Sequence, residues 1–275
     1  MSSPLDPTKA IEESAATGEV AEIFADIRNV MDIPLVTSIW RCLAGVPEAL
    51  PTTWAAIRPL MSSGEIETLL HELQSQVEFP VPAPLSADAC AAHAFTLEDG
   101  ETMQRVVDAY NRSNCLNLIA ITALLREPIA GPPVSIREAK HHQWQPFPRL
   151  IAPCEMNEAQ WELLRASTTI GAAKTNPHIP TLWRHLLDWP ELLSIAIDRY
   201  NTPSMHDTLV AAVEIVTAWV ESNAPRVHHL VDSSVEIPNQ AHDMLTRYVG
   251  PQPSVARMCT VGSSAAQWLR ACEWS

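Results

Sequence analysis

The segment from residue 174 to residue 193, KTNPHIPTLWRHLLDWPELL, contains the side chains whose types and spacing are best suited to chemistry. His178 and His185 lie seven residues apart and enclose Thr181 and Leu182. A helix that begins just before Thr181 would bring Thr181, Leu182 and His185 to one face. Because histidine titrates near neutral pH, His185 or His178 could act beside that face as a general base.

Each of these side chains also has a structural explanation, which the sequence leaves open. His185 could cap a neighbouring helix or pack against it. Lys174 could bind a substrate carboxylate, although a solvated lysine at a helix end would look the same. Adjacent titratable residues elsewhere are weak evidence for a catalytic or metal dyad, because neighbours on a helix point about 100° apart. These pairs are His141–His142, His206–Asp207, His228–His229 and His242–Asp243.

The composition of the 275-residue chain excludes several classes of function. A net charge of −14 argues against nucleic acid and anionic membrane surfaces as partners, since both bind faces rich in Lys and Arg. The first residues, MSSPLDPTKAIEES, do not resemble a signal peptide, and no run of about 18 apolar residues could span a membrane, so we expect a cytoplasmic protein. Only eight glycines, without a G-x-G-x-x-G or P-loop pattern, argue against nucleotide-dependent chemistry.

The six cysteines also bear on the compartment and on metals. They lie far apart and form no C-x-x-C pair, which excludes a thiol redox pair and a cysteine-rich zinc site. Cysteines in a cytosolic protein stay reduced. We therefore expect buried, reduced thiols and no metal site.

Apolar residues recur at helical spacing along most of the chain, and alternating strand patterns are scarce. In GEVAEIFADIRNVM, this spacing places Ile23, Phe24 and Ile27 on one face. The stretch DTLVAAVEIVTAWVES has the same spacing. The 23 prolines lie mostly between such stretches or where a first helical turn could begin. The sequence therefore predicts an all-α protein.

The predicted helices are arranged as a repeat. Residues 29–50 align without gaps on residues 172–193, at a constant offset of 143 that pairs the two Trp-Arg dipeptides and the prolines around them. A second match pairs residues 106–114 with residues 215–223 at an offset of 109. The smaller second offset implies that the first copy contains extra residues between the two matches.

These matches predict the organisation of the chain. The extra residues would lie in the Pro-rich stretch 78–89. The first helical repeat would then occupy residues 1–125, a linker rich in Pro and basic groups residues 126–150, and the second repeat residues 151–275. Two such units would pack about a pseudo-twofold axis, and a site built from both would lie near that axis.

Three motifs resemble the DehI-type, or group I, 2-haloacid dehalogenases: GEVAEIFADIR, P-x-x-x-x-x-W-R-x-L-A-x-x-P-x-x-L and AYNRSN. The resemblance covers most of the chain. It implies an all-α fold of two pseudo-repeats and a reaction that needs no metal or organic cofactor. It also implies the mechanism of that family, in which an aspartate of the second repeat activates water and the water displaces halide from the α-carbon of a short haloacid.

Carried over by position, the resemblance predicts a substrate pocket. Its first-repeat segment matches Trp40, Cys42 and Leu43. The asparagine-bearing helix of the family matches YNRSN, so Asn111 and Asn114 both remain candidates.

The catalytic position departs from the family pattern. The small residue and the aspartate that follows it fall on Thr181 and Leu182. No carboxylate lies between Lys174 and Leu187. Asp188, six residues beyond Leu182, would face elsewhere on a helix. The family's base is therefore missing from its expected position.

The repeat suggests a replacement for this base. His185 lies about one turn after Thr181 and is equivalent to Cys42, which is a pocket position in the family. We therefore predict His185 and Thr181 as catalytic residues. Leu182 and His178 are predicted beside them as substrate-binding residues.

Arg41 and Arg184 occupy equivalent places in the two repeats. They could form paired forks for a substrate carboxylate. Their equivalence favours a shared structural salt bridge instead.

The resemblance, together with the missing aspartate, implies three alternative functions. The first is an enzyme that displaces halide or sulfate from a saturated carbon of a small carboxylic acid, with a nucleophile supplied by the substrate, as in the aziridine formation catalysed by some dehalogenase-like proteins of specialised metabolism. The second is a hydrolytic 2-haloacid dehalogenase. The third is a catalytically silent member that binds a small acid or a partner. A homodimer or a small partner subunit is compatible with all three.

Overall fold

The computed structural model describes residues 10–138, 142, 144–172, 179–250 and 255–274. Those residues form twelve α-helices and four short 3-10 turns, and no strand occurs among them. The prediction of an all-α protein is therefore confirmed. In the same part of the chain, no helix combines the length and the apolar character needed to cross a bilayer.

Six helices belong to the first half of the chain and six to the second. The first six are α1 (Gly18–Met31), α2 (Ser38–Leu43), α3 (Ala49–Met61), α4 (Gly64–Gln76), α5 (Ala87–Ala92) and α6 (Leu97–Leu125). The second six are α7 (Glu158–Ser167), α8 (Thr181–His185), α9 (Pro190–Tyr200), α10 (Pro203–Asn223), α11 (Asn239–Val249) and α12 (Val255–Ala271). The 3-10 turns are Glu13–Ala15, Pro153–Glu155, Leu186–Asp188 and Ala224–Leu230.

The local sequence explains where several of these helices begin. Thr96 accepts a hydrogen bond from the backbone N–H of Asp99, whose carboxylate bonds back to Thr96, so that α6 starts in a capping box. Asn157 and Gln160 cap the start of α7 in the same way. Pro190 is the first residue of α9, where its missing N–H removes no helical bond.

The order of helices bears on the repeat. A short 3-10 turn precedes α1 and another precedes α7, and α2 and α8 begin 143 residues apart. In this order α4 corresponds to α10 and α6 to α12. The match of residues 106–114 to residues 215–223 instead joins α6 to α10, which occupy different places. The two offsets therefore imply different pairings of helices, and the place of the extra residues in the first copy stays a prediction. Superposition of the two halves stays a prediction.

The two halves pack on a common centre formed by α6 and α12. Nineteen residues of α6 and fourteen of α12 are buried, so most of each helix lies in the core. One apolar cluster joins α1–α4 to the C-terminal half of α6, and another joins α7–α9 to its N-terminal half. A Cβ at Gly262 would lie 3.0 Å from the Asn111 amide oxygen, so this glycine permits the close approach of α12 to α6.

Five of the six cysteines are buried and Cys154 is exposed, and none of the six forms a disulfide. The prediction of buried thiols is wrong for Cys154, because this residue lies in the short 3-10 turn ahead of α7 and not on an apolar helix face.

Candidate active site

A cavity of about 40 Å³ lies where α2 and α8 meet the central helices α6 and α12. Its walls come from both halves of the chain. Its lining residues are Thr37, Ser38, Ile39, Cys42, Tyr110, Asn114, Pro180, Thr181, Leu182, Tyr248, Val255, Arg257 and Met258.

The cavity is lined by two pairs of residues that the predicted repeat makes equivalent. Ser38 and Thr181 lie 143 residues apart, as do Ile39 and Leu182, and all four line the cavity. Corresponding turns of α2 and α8 therefore contribute to one cavity. This is the arrangement expected of a site near a pseudo-twofold axis.

Four of the residues predicted from the sequence lie in the cavity wall. Thr181 and Leu182 are the first two residues of α8, and Cys42 lies on α2. Of the two candidate asparagines, Asn114 lines this cavity, and it is mostly buried. The side chain of Thr181 is also mostly buried, and its hydroxyl has no hydrogen-bond partner among the described residues.

Three other predicted residues do not line the cavity. The side chain of Trp40 is fully buried, and its indole N–H donates to the amide oxygen of Asn117 at 3.1 Å. Leu43 is a fully buried core residue. Asn111 accepts a hydrogen bond from Ser263 at 3.1 Å and borders a different cavity. Trp40 and Leu43 are thus packed in the core, and His178 lies outside the described residues.

That different cavity is an open groove of about 520 Å³ between α6 and α12. Arg105, Arg112 and Arg270 border it together with Asp108. Arg112 is paired with Glu67, and Arg270 with Asp108, so most of the positive charge of this groove is compensated. The groove is therefore a weaker candidate for a ligand site than the smaller cavity.

His185 lies behind the cavity wall and not in it. Its Nε2 lies 2.6 Å from the carbonyl oxygen of Pro148, and its Nδ1 lies 3.0 Å from the hydroxyl of Tyr110. Since a carbonyl can only accept, Nε2 carries the proton and the Tyr110 hydroxyl donates to Nδ1. Both ring nitrogens are thereby used within the protein.

The protonation state of His185 follows from its surroundings. Burial lowers its pKa to about 4; the bond to the Pro148 carbonyl opposes this shift, and the charge of Arg184 adds to it. The ring is therefore neutral at pH 7. Because Tyr110 separates it from the cavity, His185 positions Tyr110, and the predicted role as a general base in contact with substrate has no support in this geometry.

Arg257 is a cavity residue that the sequence analysis did not single out. It is 5% exposed, and its guanidinium donates from Nη1 to the carbonyl oxygen of Thr168 at 2.8 Å. No carboxylate in the described part of the chain pairs with it, and its Nε has no partner there. Burial lowers the pKa of Arg257 to about 10, so the group is charged at neutral pH. A buried, charged donor facing a cavity is suited to an anionic ligand.

The turn that follows α7 holds this arginine in place. The carbonyl oxygens of Thr168 and Ile170 both face Arg257, and the next residue, Gly171, has a φ of +64°. A Cβ at Gly171 would also lie 3.0 Å from a methyl group of Leu209. Glycine is needed here because the left-handed turn leaves no room for a side chain.

No Asp or Glu among the described residues lines the cavity. Asp188 is exposed in the 3-10 turn after α8, as predicted for a residue that faces elsewhere. The residues outside the described ranges include one acidic side chain, that of Asp6. The described lining of the cavity thus offers an arginine, hydroxyls and an amide, but no carboxylate base.

Arg41 and Arg184 share one carboxylate. Arg41 lies 3.3 Å and Arg184 3.5 Å from the carboxylate oxygens of Glu12. They therefore form a shared salt bridge, as their equivalence in the repeat favours, and neither lines the cavity.

The adjacent titratable pairs do not form a second site. None of their described members lines the cavity. His228 bonds to the carbonyl oxygen of Ala123 at 2.7 Å, and His142 lies 2.6 Å from a carboxylate oxygen of Asp32. Within the described ranges, no three His, Cys, Asp or Glu side chains lie together as a metal ion would require.

Comparison with known proteins identifies a family for this chain. The profile of DehI, described as a halocarboxylic acid dehydrogenase, matches residues 34–181, which is more than half of the chain. A configuration-inverting 2-haloacid dehalogenase from Alcaligenes xylosoxydans xylosoxydans is 26% identical over 196 residues, which cover 68% of this chain and 66% of that protein. Another from Pseudomonas sp. (strain 113) is 23% identical over 114 residues, covering 41% of this chain and 37% of that protein. The matched regions thus span just under two thirds of the first relative and just over a third of the second.

Solved structures show the same fold. A D-2-haloacid dehalogenase mutant superposes with a TM-score of 0.67 at 13% identity, covering 96% of this chain and 94% of that chain. The complex of a D-2-haloacid dehalogenase with L-LA superposes with a TM-score of 0.65 at 14% identity and the same coverage. Together with the profile match and the all-α fold, these comparisons show that the chain belongs to the DehI family.

Proposed function

We propose that this protein binds a small carboxylic acid through Arg257 and promotes displacement of a leaving group, halide or sulfate, from a saturated carbon of that acid. One observation carries the proposal: a cavity of a dehalogenase-family fold is lined by a buried arginine without a carboxylate partner among the described residues. A substrate carboxylate would supply the missing counter-charge. The cavity of about 40 Å³ is little larger than the roughly 30 Å³ that one water molecule occupies in the liquid, so its walls would have to move apart to admit even a short acid.

The nucleophile is best supplied by the substrate. Water is a poor nucleophile unless a base removes its proton, and a positioned base typically contributes about 10²–10⁴-fold. Leu182, at the family's aspartate position, offers no such base. An amine within the substrate needs that help less, because its attack is effectively unimolecular once both groups are bound in one conformation.

The step we propose is an intramolecular substitution. With 2-amino-3-chloropropionate as the probe, the neutral amine attacks C3, the N–C3 bond forms, and the C3–Cl bond breaks. Chloride leaves with the bonding electron pair, and the nitrogen releases one proton to solvent. The product would be aziridine-2-carboxylate. Arg257 would hold the carboxylate while Thr181 and Asn114 contact the rest of the substrate.

The test compares two substrates and two variants. We expect wild-type protein to close the ring of 2-amino-3-chloropropionate and to release little chloride from 2-chloropropionate. Leu182→Asp should raise hydrolysis of 2-chloropropionate, because it restores a carboxylate at the family's position. Ile39→Asp is the matched control, since it adds a carboxylate to the same cavity from the equivalent position of α2, and it should not raise hydrolysis.

A hydrolytic dehalogenase is the second candidate, and the names of the curated relatives favour it. Wild-type turnover of 2-chloropropionate at about 1 s⁻¹ or faster, within the usual enzymatic range, with oxygen-18 from solvent water in the lactate, would establish this candidate and overturn ring closure. A protein that binds both acids and turns over neither would be a silent member of the family.

A further inference from the structure

Two buried arginines meet at the N-terminal segment of the chain. Arg41 on α2 and Arg184 on α8 are each 3% exposed, and both approach the carboxylate of Glu12. They occupy equivalent positions of the repeat, 143 residues apart. The cluster is therefore a feature of the junction between the two halves.

The carboxylate of Glu12 satisfies this pair poorly. Charge-assisted bonds between a cation and a carboxylate are usually about 2.7–2.9 Å long, whereas the two contacts of Glu12 measure 3.3 and 3.5 Å. By comparison, Arg126 lies 2.7 Å from its carboxylate partner on the surface. The Glu12 carboxylate lies between the two guanidinium groups and makes a long, weak ion pair with each.

Several donors of the pair remain unused. Nε and Nη2 of Arg41 and Nε of Arg184 are buried and have no hydrogen-bond partner among the described residues. Two positive charges there face the single negative charge of Glu12, and the charge of Arg41 adds to burial in lowering the pKa of Arg184. A buried charge without full compensation is unfavourable, so an additional or larger anion would stabilise the cluster.

The side chain of Glu12 can move away from the two arginines while the N-terminal segment stays in place. Its side chain is 43% exposed, whereas the arginine side chains are 4% exposed. The neighbouring Glu13 holds the segment separately, through Arg28 at 2.6 Å and the backbone N–H of Val36 at 2.7 Å. Rotation of the Glu12 side chain toward solvent would therefore uncover both guanidinium groups.

We propose that Arg41 and Arg184 form an anion site distinct from the cavity, which Glu12 occupies in this structure, and that a small inorganic oxyanion such as sulfate or phosphate binds there in exchange for that carboxylate. A tetrahedral oxyanion offers four oxygen atoms to the two guanidinium groups, where a carboxylate offers two. Since α2 and α8 also line the cavity, an anion held between them is placed to influence the spacing of its walls. The proposal does not depend on the reaction catalysed.

The experiment measures thermal unfolding against sodium sulfate, with sodium chloride at equal ionic strength as the reference. Glu12→Gln removes the competing charge, so its Tm should rise with sulfate in a saturable way, with a Kd several-fold below that of wild type. Adding Arg184→Met to Glu12→Gln should abolish that rise. Glu155→Gln is the matched control: it removes the same charge from the 3-10 turn ahead of α7, and it should respond as wild type does.

Several outcomes would overturn the proposal. An equal sulfate response in wild type, Glu12→Gln and the double variant would indicate a general salt effect only. A sulfate response gained by Asp6→Asn, and not by Glu12→Gln, would mean that Asp6 of this chain completes the pair. If Glu12→Gln folds only when sulfate is present, that dependence itself supports the site. Calorimetric titration of sulfate into wild type and Arg184→Lys gives a test without Glu12 variants, and equal affinities there would contradict the proposal.

Discussion

Replacement of Arg257 by methionine should change the free energy of unfolding only a little but should weaken ligand binding strongly. The pKa of Arg257 falls from its ordinary 12.5 to about 10, which corresponds to about 3 kcal/mol against the charged form at about 1.4 kcal/mol per pKa unit. Arg257→Met would remove this penalty. It would also remove the bond to the Thr168 carbonyl, worth about 1.5–3 kcal/mol for a charged donor. The two effects nearly cancel, so we expect the free energy of unfolding to change by no more than about 2 kcal/mol.

Ligand binding should respond much more strongly. Truncation of one partner of a buried, hydrogen-bonded charge pair costs about 2–5 kcal/mol, so Arg257→Met should weaken the binding of 2-chloropropionate by about 30-fold or more. At a ligand concentration of about 100 Kd, wild type should gain about 2.7 kcal/mol of stability. The variant should gain little at the same concentration.

The assay is urea denaturation with and without 2-chloropropionate. Arg270→Met is the control, because Arg270 lies on the same helix, pairs with Asp108 at the surface, and does not line the cavity. Equal stabilisation of wild type and Arg257→Met by the acid would refute the assignment of Arg257 as the carboxylate-binding residue. A variant that fails to fold would show that the bond to Thr168 outweighs the burial penalty, and that the arginine is structural.

Two further predictions concern buried polar groups. The folded-state pKa of His185, about 4, lies below its ordinary 6.5; the unfolded state therefore binds more protons between these pH values, and His185 should contribute a loss of about 3 kcal/mol as pH falls through that window. Urea denaturation from pH 7 to pH 4 should show this loss in wild type relative to His185→Leu, and parallel pH curves would contradict it. Glu67→Gln should lower the free energy of unfolding by about 3–5 kcal/mol, because it leaves Arg112 buried without its 2.5 Å partner. Glu221→Gln, in an exposed pair, should cost less than about 1 kcal/mol, and equal losses would mean that burial does not set the strength of these pairs.

The all-α fold could be predicted because apolar residues at helical spacing in a sequence indicate helices directly. Phe24 and Ile27, assigned to one face of a helix from the sequence, are both buried in α1. The second repeat match, which pairs α6 with α10, stays a prediction. Residues 106–114 and residues 215–223 both have helical apolar spacing, and similarity of that kind does not identify equivalent helices.

The cavity was only partly predictable. The family resemblance assigned Cys42, Thr181 and Leu182 to the substrate pocket, and all three line this cavity; their role in binding substrate stays a prediction. The choice between Asn111 and Asn114 depends on the rotation of α6 about its axis, which the packing of α12 sets and no local motif reveals.

Arg257 was missed because its role arises from distant contacts. The carbonyl groups that hold it come from the turn after α7, almost ninety residues earlier in the chain. One local signal was present: a single arginine inside the otherwise uncharged stretch VARMCTVG. A charge in a helix that is apolar all round is costly to bury, and such a residue is a functional candidate on that ground alone.

The unequal lengths of the helices around the cavity have a dynamic consequence. On one side lie α6 and α12, of 29 and 17 residues, both deeply buried. On the other lie α2 and α8, of six and five residues, too short to be stable by themselves. Local opening draws on the least stable units of a fold, so a ligand would reach the cavity through transient melting of these single turns. The rate at which a ligand enters the cavity would then depend on the stability of α2 and α8, and α6 and α12 would not have to move.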